Sequence, residues 1–394
     1  MELVKIQKAL EDGGMDGWLF FDFHNRDPIA YRVLGLNAGE FTSRRWFYWI
    51  PAKGEPVRLV HRVEPTKLDN LPGEKRLYLG WKELHQALPE VLGSARKVAM
   101  QFSPLSAIPY VSLVDGGTID LIRSLGVEVV SSGDLVQMFE ATIDEAGYRM
   151  HLEAGEMIQR IKDDSFKRIG DFIRSGRKLT EFELQQWIVR RFEAEGMDCD
   201  SEYPIVGVNE HPANPHFQPT PQNSYAFKKG DLVLLDLWAK LKKPRAIFYD
   251  ITWCAYIGDT PPALYAEIFD VVKHARNTGL RFIRECLSQR KPCHGYEVDD
   301  IVRKVVRDAS YGEQFIHRTG HSIGEKVHGN GVNIDNLETR DERLLVPGIC
   351  FSIEPGIYLE GKMAARTEIN VFINDNFEAV VAGPEQDGLV LIQV

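Results

Sequence analysis

Four acidic residues interrupt apolar runs in the second half of the chain, and they fall into two matched pairs. In "DLVLLDLW" Asp236 breaks into the run begun by Val233, Leu234 and Leu235, and in "AIFYDITW" Asp250 does the same. The two lie fourteen positions apart, with the charged turn Lys-Leu-Lys-Lys-Pro-Arg between them. In "CFSIEPGIY" Glu354 ends an apolar strand, and in "ARTEINVFI" Glu368 sits within one, again fourteen apart, with Gly361 at the midpoint. A hairpin folded about residue 243 and a second about Gly361 would each set two carboxylates across from one another. A single acid of this kind reads as a strand-end residue, solvated or paired with Lys or Arg. Four together, charged among apolar neighbours, would repel one another and be costly to bury.

Cations among them would remove that cost. Between the two pairs lies "TGHSIGEKVH", in which Gly320 and Gly324 flank His321 and His328 follows seven positions on. Two divalent cations balance four carboxylates and leave His321 as a nitrogen ligand. Oxygen-rich ligation with one imidazole suits Mn²⁺, with Zn²⁺, Fe²⁺ and Co²⁺ as alternatives. Paired cations make a bridging hydroxide near neutral pH and clamp the oxyanion it generates, which is hydrolysis without a protein nucleophile.

The rest of the chain frames this site. Its 394 residues suffice for more than one domain. The 47 Lys and Arg against 57 Asp and Glu give a formal charge of −10, which argues against nucleic-acid and anionic-membrane partners. No run approaches the roughly 20 apolar residues that cross a bilayer. "MELVKIQKALEDGG" reads as an amphipathic helix rather than a signal peptide. The five cysteines are scattered, with no C-x-x-C pair, which points to a reducing cytoplasm. Short apolar runs (WLFF, FYWI, VRLVH, KVAMQF, VEVVSS) alternate with turns and helical stretches over residues 15–135, the rhythm of a small α/β domain. Helical spacing then takes over at 145–175 and again after the capping box of Thr180 and Glu183. Further helices are expected at 262–287 and 296–309, and strands at 231–238, 246–257, 349–358 and 366–373. The expected organisation is a domain over 1–144 and an α+β domain over 145–394 with a largely antiparallel sheet.

The order Asp236, Asp250, His321, Glu354, Glu368, with "HRTGHSIG", "SIEPGIYL" and "RTE", resembles the pita-bread metallopeptidases, the family of prolidase, aminopeptidase P, methionine aminopeptidase and creatinase. "LTEFELQQWIVRRFEAEG" and "HGYEVDDIVRKVVRDASYG" are similar to helices of that family, and "GMDGWLFFDFHNRDPIAYRVLGL" to the start of its creatinase-type N-terminal domain. The resemblance implies a C-terminal pita-bread catalytic domain behind a smaller creatinase-type α/β domain. It makes Asp236, Asp250, His321, Glu354 and Glu368 the ligands of two metal ions, with Asp250 and Glu368 bridging. It gives His328 the scissile carbonyl and places His216, in "NPHFQPT", in the substrate pocket. Glu354 also becomes the proton shuttle to the leaving nitrogen.

The chain departs from the family pattern in three places. The Asp-to-Asp gap is long, so the hairpin carries an insertion. Prolidases commonly have Tyr and Arg where this chain has Ile247 and Trp253, and an acid where it has Gly329. With Ile247 and Trp253 apolar, that wall of the site is expected to be more hydrophobic. Arg366 is expected to be a charge partner of the carboxylates or a catalytic contact, and no second arginine is evident beside it. His211, His294 and His317 read as structural or surface residues, and Trp238, Trp253 and Cys254 as packing. The expected protein is a cytoplasmic homodimer that hydrolyses Xaa-Pro bonds through a metal-bridging hydroxide, as a prolidase-like Xaa-Pro dipeptidase. The alternatives are aminopeptidase P, acting on longer peptides, and a non-catalytic pita-bread binding protein. Creatinase-type C–N hydrolysis is disfavoured, because creatinases lack the full ligand set.

Overall fold

In the computed structural model, which describes Met1–Val394, the chain divides into the units Met1–Ala141 and Thr142–Val394. The first unit contains α1 (Leu3–Asp12), β1 (Gly17–Asp22), α2 (Pro28–Leu34), β2 (Trp46–Pro51), β3 (Val57–His61) and β4 (Glu74–Tyr78). It continues with α3 (Trp81–Leu92), β5 (Lys97–Met100), α4 (Gly116–Ser124), β6 (Glu128–Ser131) and the single turn α5 (Gly133–Val136). Its strands form one mixed sheet in the order β4-β3-β2-β1-β5-β6. Alternate residues of β1 serve opposite layers. Trp18 and Phe20 pack with Ile6 and Leu10 of α1 and with α2, while Leu19 and Phe21 pack with Leu84 and Leu88 of α3 and with α4. A strand covered on both faces has no polar alternation, which is why "WLFF" is unbroken. The sequence reading missed β4, because "EKRLY" is a largely exposed edge strand without the apolar pattern of a covered one.

The second unit begins with α6 (Glu145–Arg174), where the Asp144 side chain caps the Gly147 amide at 2.8 Å. Helix α7 (Glu181–Ala194) follows, with both halves of the Thr180/Glu183 capping box formed. Next come β7 (Met197–Asp198), β8 (Ile205–Val208), β9 (Leu232–Leu241), β10 (Tyr249–Ile257), α8 (Ala263–Ser288), α9 (Gly295–Asp308) and β11 (Ser322–Ile323). The chain closes with β12 (Cys350–Ile353), β13 (Gly356–Leu359), β14 (Met363–Arg366), β15 (Ile369–Ile373), β16 (Ala379–Val381) and β17 (Val390–Ile392). One sheet runs β17-β10-β9-β7, with β8 also on β9. A second runs β11-β12-β15-β16, and β13 pairs with β14. No helix is long and apolar enough to cross a membrane.

The two faces of β9 and β10 have different tasks. Val233, Leu235, Leu237, Ile251 and Ala255 pack beneath Ile158 and Ile161 of α6 and Leu184 and Ile188 of α7. On the other face the apolar row of Leu232 and Leu234 stops at Asp236. The expected 349–358 strand is two strands broken at Glu354 and Pro355, since proline cannot donate to a ladder. The register also corrects one expectation. Asp236 lies opposite Thr252, and Asp250 opposite Trp238. The hairpin therefore folds about Pro244, one residue beyond the expected 243, and the two aspartates are diagonal neighbours on one face. In the second pair, Ile353 faces Ile369 and Gly356 faces Arg366. Carried one step inward, that register sets Glu354 opposite Glu368 about Gly361, whose φ of 65° suits the turn.

The α6 layer is what holds the odd face of this hairpin dry. Ile158 is fully buried there. Ile158→Ala should cost about 2–5 kcal/mol of unfolding free energy, measured by urea denaturation. A loss under about 0.5 kcal/mol, the usual scale of surface substitutions, would mean α6 does not support the hairpin.

Candidate metal centre

Strand β10 has a ladder partner on its outer side only from Ala255 onward, where β17 joins it. Upstream, side chains take the place of a strand. The Asn370 side chain accepts from the Asp250 amide at 2.9 Å and donates to the Asp250 carbonyl. Gln386 treats Cys254 the same way, at 2.9 and 2.6 Å. Between them the Glu368 amide donates to the Thr252 carbonyl at 3.2 Å. This lacing pulls β15 of the second sheet against β10 of the first, so acids far apart in sequence converge.

Asp250, His321 and Glu368 each offer a ligand atom within 4.8 Å of the others. His321 Nε2 lies 3.5 Å from Asp250 Oδ2 and 3.4 Å from Glu354 Oε1. Its Nδ1 is 3.1 Å from the Ser322 carbonyl, so a proton held there leaves the Nε2 lone pair facing the acids. The His321 amide donates to Ser352 Oγ, which donates to Glu354 Oε1 at 3.2 Å. Thr252 donates to Glu368 Oε2 at 2.9 Å. Gly320 is required by close approach, because a Cβ there would lie 1.9 Å from the Ser352 carbonyl. All five predicted ligand residues converge here, and only Glu354 is less than fully buried.

Arg366 is the cation of this cluster. It is buried and pairs with Asp236, donates from Nε to Thr252 Oγ1 at 3.0 Å, and approaches Glu354 Oε2 at 3.8 Å. Its remaining arm donates to the Tyr358 hydroxyl at 2.9 Å, and that hydroxyl lies 2.8 Å from His317 Nε2. His317, read as structural from the sequence, thus anchors the arginine. The sequence reading missed Arg318. It is buried; burial is the main cause of the lowered pKa of His321, and the Arg318 charge adds to that lowering and to the lowering at His328. Its position three residues before His321 was the available signal.

His328 stands edge-on to His321, ring centroids 4.4 Å apart at 88°. The charge of His321 is the main cause of its depressed pKa, and His216 contributes from an exposed loop. The expectation about Ile247 and Trp253 needs correction. Trp253 lies opposite Leu235, on the α6 side of the sheet and away from the carboxylates, with the Lys162 ammonium 3.4 Å from its ring centroid. Ile247 packs with Ile143, Phe248 and Ile323. Neither forms a wall of the acid cluster; the indole on the acid face is Trp238, opposite Asp250.

Burial raises the pKa of all four carboxyls, Asp236 to about 6 and Asp250 to about 7, with Arg366 pulling both down. Glu368 is raised further by its acidic neighbours. Folded Asp250 keeps its proton to about pH 7, while the unfolded chain loses it near 3.8. Within that window the folded form binds more protons, so metal-free protein loses stability as pH rises through it. The urea midpoint of chelated protein should therefore fall between about pH 4 and about pH 7, and Asp250→Asn should flatten the fall. An undiminished slope in that variant would assign the effect elsewhere.

The family model for metallopeptidase family M24 matches residues 154–375. The probable dipeptidase PepE of Mycobacterium bovis is 27% identical over 379 residues, covering 95% of this chain and 92% of that one. The Xaa-Pro dipeptidase of Lactobacillus helveticus is 30% identical over 223 residues, 55% of this chain and 54% of that one. Among solved structures, dipeptidase PepE from Mycobacterium ulcerans superposes with a TM-score of 0.71 at 24% identity, covering 100% of this chain and 97% of that one, a likeness of fold.

Proposed function

The chain belongs to metallopeptidase family M24, and from that membership we propose that it is a prolidase-like Xaa-Pro dipeptidase with two divalent cations held by Asp236, Asp250, His321, Glu354 and Glu368. The observation that carries this reading is a pair of buried carboxylate oxygens, Asp250 Oδ1 and Glu368 Oε1, with no hydrogen-bond partner beside the imidazole of His321. Buried carboxyl oxygens without a partner are costly, and the donor set of carboxylates plus one imidazole fits hard divalent cations, Mn²⁺ first. Asp250 and Glu368, each with an unused oxygen, would be the carboxylates shared between the two ions. The likeness to a probable dipeptidase of Mycobacterium bovis and to the Xaa-Pro dipeptidase of Lactobacillus helveticus supports a dipeptidase and an Xaa-Pro substrate.

Two cations bound there supply acidified water and offset charge on a carbonyl oxygen under attack. The chain's own side chains do the rest. Neutral His328 donates a hydrogen bond to the scissile carbonyl oxygen, and His216 lines the pocket around the proline ring. Glu354, whose carboxyl burial raises, carries a proton on Oε2 to the leaving nitrogen while Ser352 holds Oε1. Arg366 keeps Asp236 ionised and fixed. The five free, buried cysteines suit a cytoplasmic enzyme, and the acidic charge suits a peptide rather than a nucleic acid as partner. A homodimer is carried over from the family resemblance.

A chelator should abolish hydrolysis of an Xaa-Pro dipeptide, and Mn²⁺ should restore it. Faster turnover of an Xaa-Pro-Xaa tripeptide would make the protein an aminopeptidase P. Two bound metals with no turnover of either peptide would put the binding-protein reading ahead.

The two histidines should separate cleanly. His321→Ala should lower metal content. His328→Ala should keep both metals and reduce kcat and kcat/KM together, by on the order of 10²–10³. Equal metal loss in both variants would sink this division of roles.

A further inference from the structure

The hairpin that carries Asp236 and Asp250 ends in a clamp. On the acid face of the β9–β10 hairpin, residues stack in rows: Asp236 with Thr252, then Trp238 with Asp250. The same register carried outward sets Lys240 across from Phe248, and the Lys240 ammonium lies 4.7 Å from that ring's centroid. From there Lys240 Nζ donates to the Glu325 carbonyl at 2.6 Å. The Phe248 amide donates to the Gly324 carbonyl at 3.0 Å. Asp200 closes the arrangement, 3.6 Å from Lys240 Nζ and 2.5 Å from Lys326 Nζ. Gly324 and Lys326 close a tight turn by their own backbone bond of 3.0 Å. The segment so gripped, Gly324–Val327, leads directly into His328.

We propose that Lys240 is a positioning residue that fixes the His328 loop to the strand carrying Asp236. His328 stands edge-on to His321, and on its far side the Gly329 amide donates to the Ser322 carbonyl at 2.7 Å. On the near side its place relative to the acids depends on the turn before it, and the turn is tied to the hairpin at the consecutive Gly324 and Glu325 carbonyls. A displacement of about 1 Å at a group facing the reacting carbonyl costs as much as 10²-fold in rate, so the one side-chain tether from the hairpin matters for turnover without touching metal or substrate. The inference rests on the role given to His328 above.

The test uses full-length Lys240→Met and Lys240→Arg, alone and combined with His328→Ala. In metal-free protein, hydrogen exchange of Lys240→Met should quicken across residues 324–329 and stay unchanged across β12 and β15; unchanged exchange at 324–329 overturns the clamp. With Mn²⁺ and leucyl-proline, Lys240→Met should lower kcat about tenfold with KM and metal content held, and Lys240→Arg should recover most of the loss. In the His328→Ala background the same substitution should have no further effect, and an additive loss there overturns the inference. If His328→Ala alone turns over at the wild-type rate, the role given to His328 falls instead, and the exchange result still decides the clamp.

Discussion

Mutual repulsion among Asp236, Asp250, Glu354 and Glu368 is the constraint that the second unit is built around. Each is taken out of water by the sheets that carry it, and burial alone pushes all four toward their neutral forms. One arginine answers part of this. Arg366 is fixed by Thr252 and by Tyr358, which His317 holds in turn. Its single charge is enough for Asp236 and reaches Glu354, but Asp250 Oδ1 and Glu368 Oε1 are left over. An imbalance of that size in a closed site is a demand for cations, and family M24 is a family of metallopeptidases.

The same constraint explains why the two sheets meet as they do. Strand β10 would otherwise present an open edge at the level of the acids. Asn370 and Gln386 close it by imitating a neighbouring strand, each amide taking both the N–H and the C=O of one residue. Two-point contacts leave little freedom to slide, so the Asp250 and Glu368 carboxylates are held in one relation before any ligand arrives. Prearranged ligands of this kind keep a charged cluster from relaxing apart.

The apolar replacements at Ile247 and Trp253 have a different consequence from the one their sequence positions suggest. Trp253 belongs to the helix-facing side of β10, where its ring carries the Lys162 ammonium. The acid face keeps its polar lining through Thr252, Arg366 and Tyr358. Arg318 adds positive charge near both His321 and His328. Electrostatics at the site is therefore set by Thr252, on the opposite face of β10 from its neighbour Trp253, and by residues from the distant stretches that carry Arg318, Tyr358 and Arg366.

Much of this was legible in the chain itself. Acids inside apolar strands are rare enough to stand out, and their equal spacing announced two hairpins. The capping box at Thr180 and the helical stripe after Asp144 set local structure through contacts three and four residues apart, which a sequence displays directly. The Glu354–Glu368 pair kept the expected register because Gly361 defines its turn. What sequence could not settle was anything requiring two distant segments to choose a partner. The one-residue shift of the first hairpin, the side of the sheet taken by Trp253, the lacing by Asn370 and Gln386, and the placement of Arg318 follow from packing between strands over a hundred residues apart in part of the network. Local periodicity fixes which residues share a face; only tertiary packing decides what that face meets.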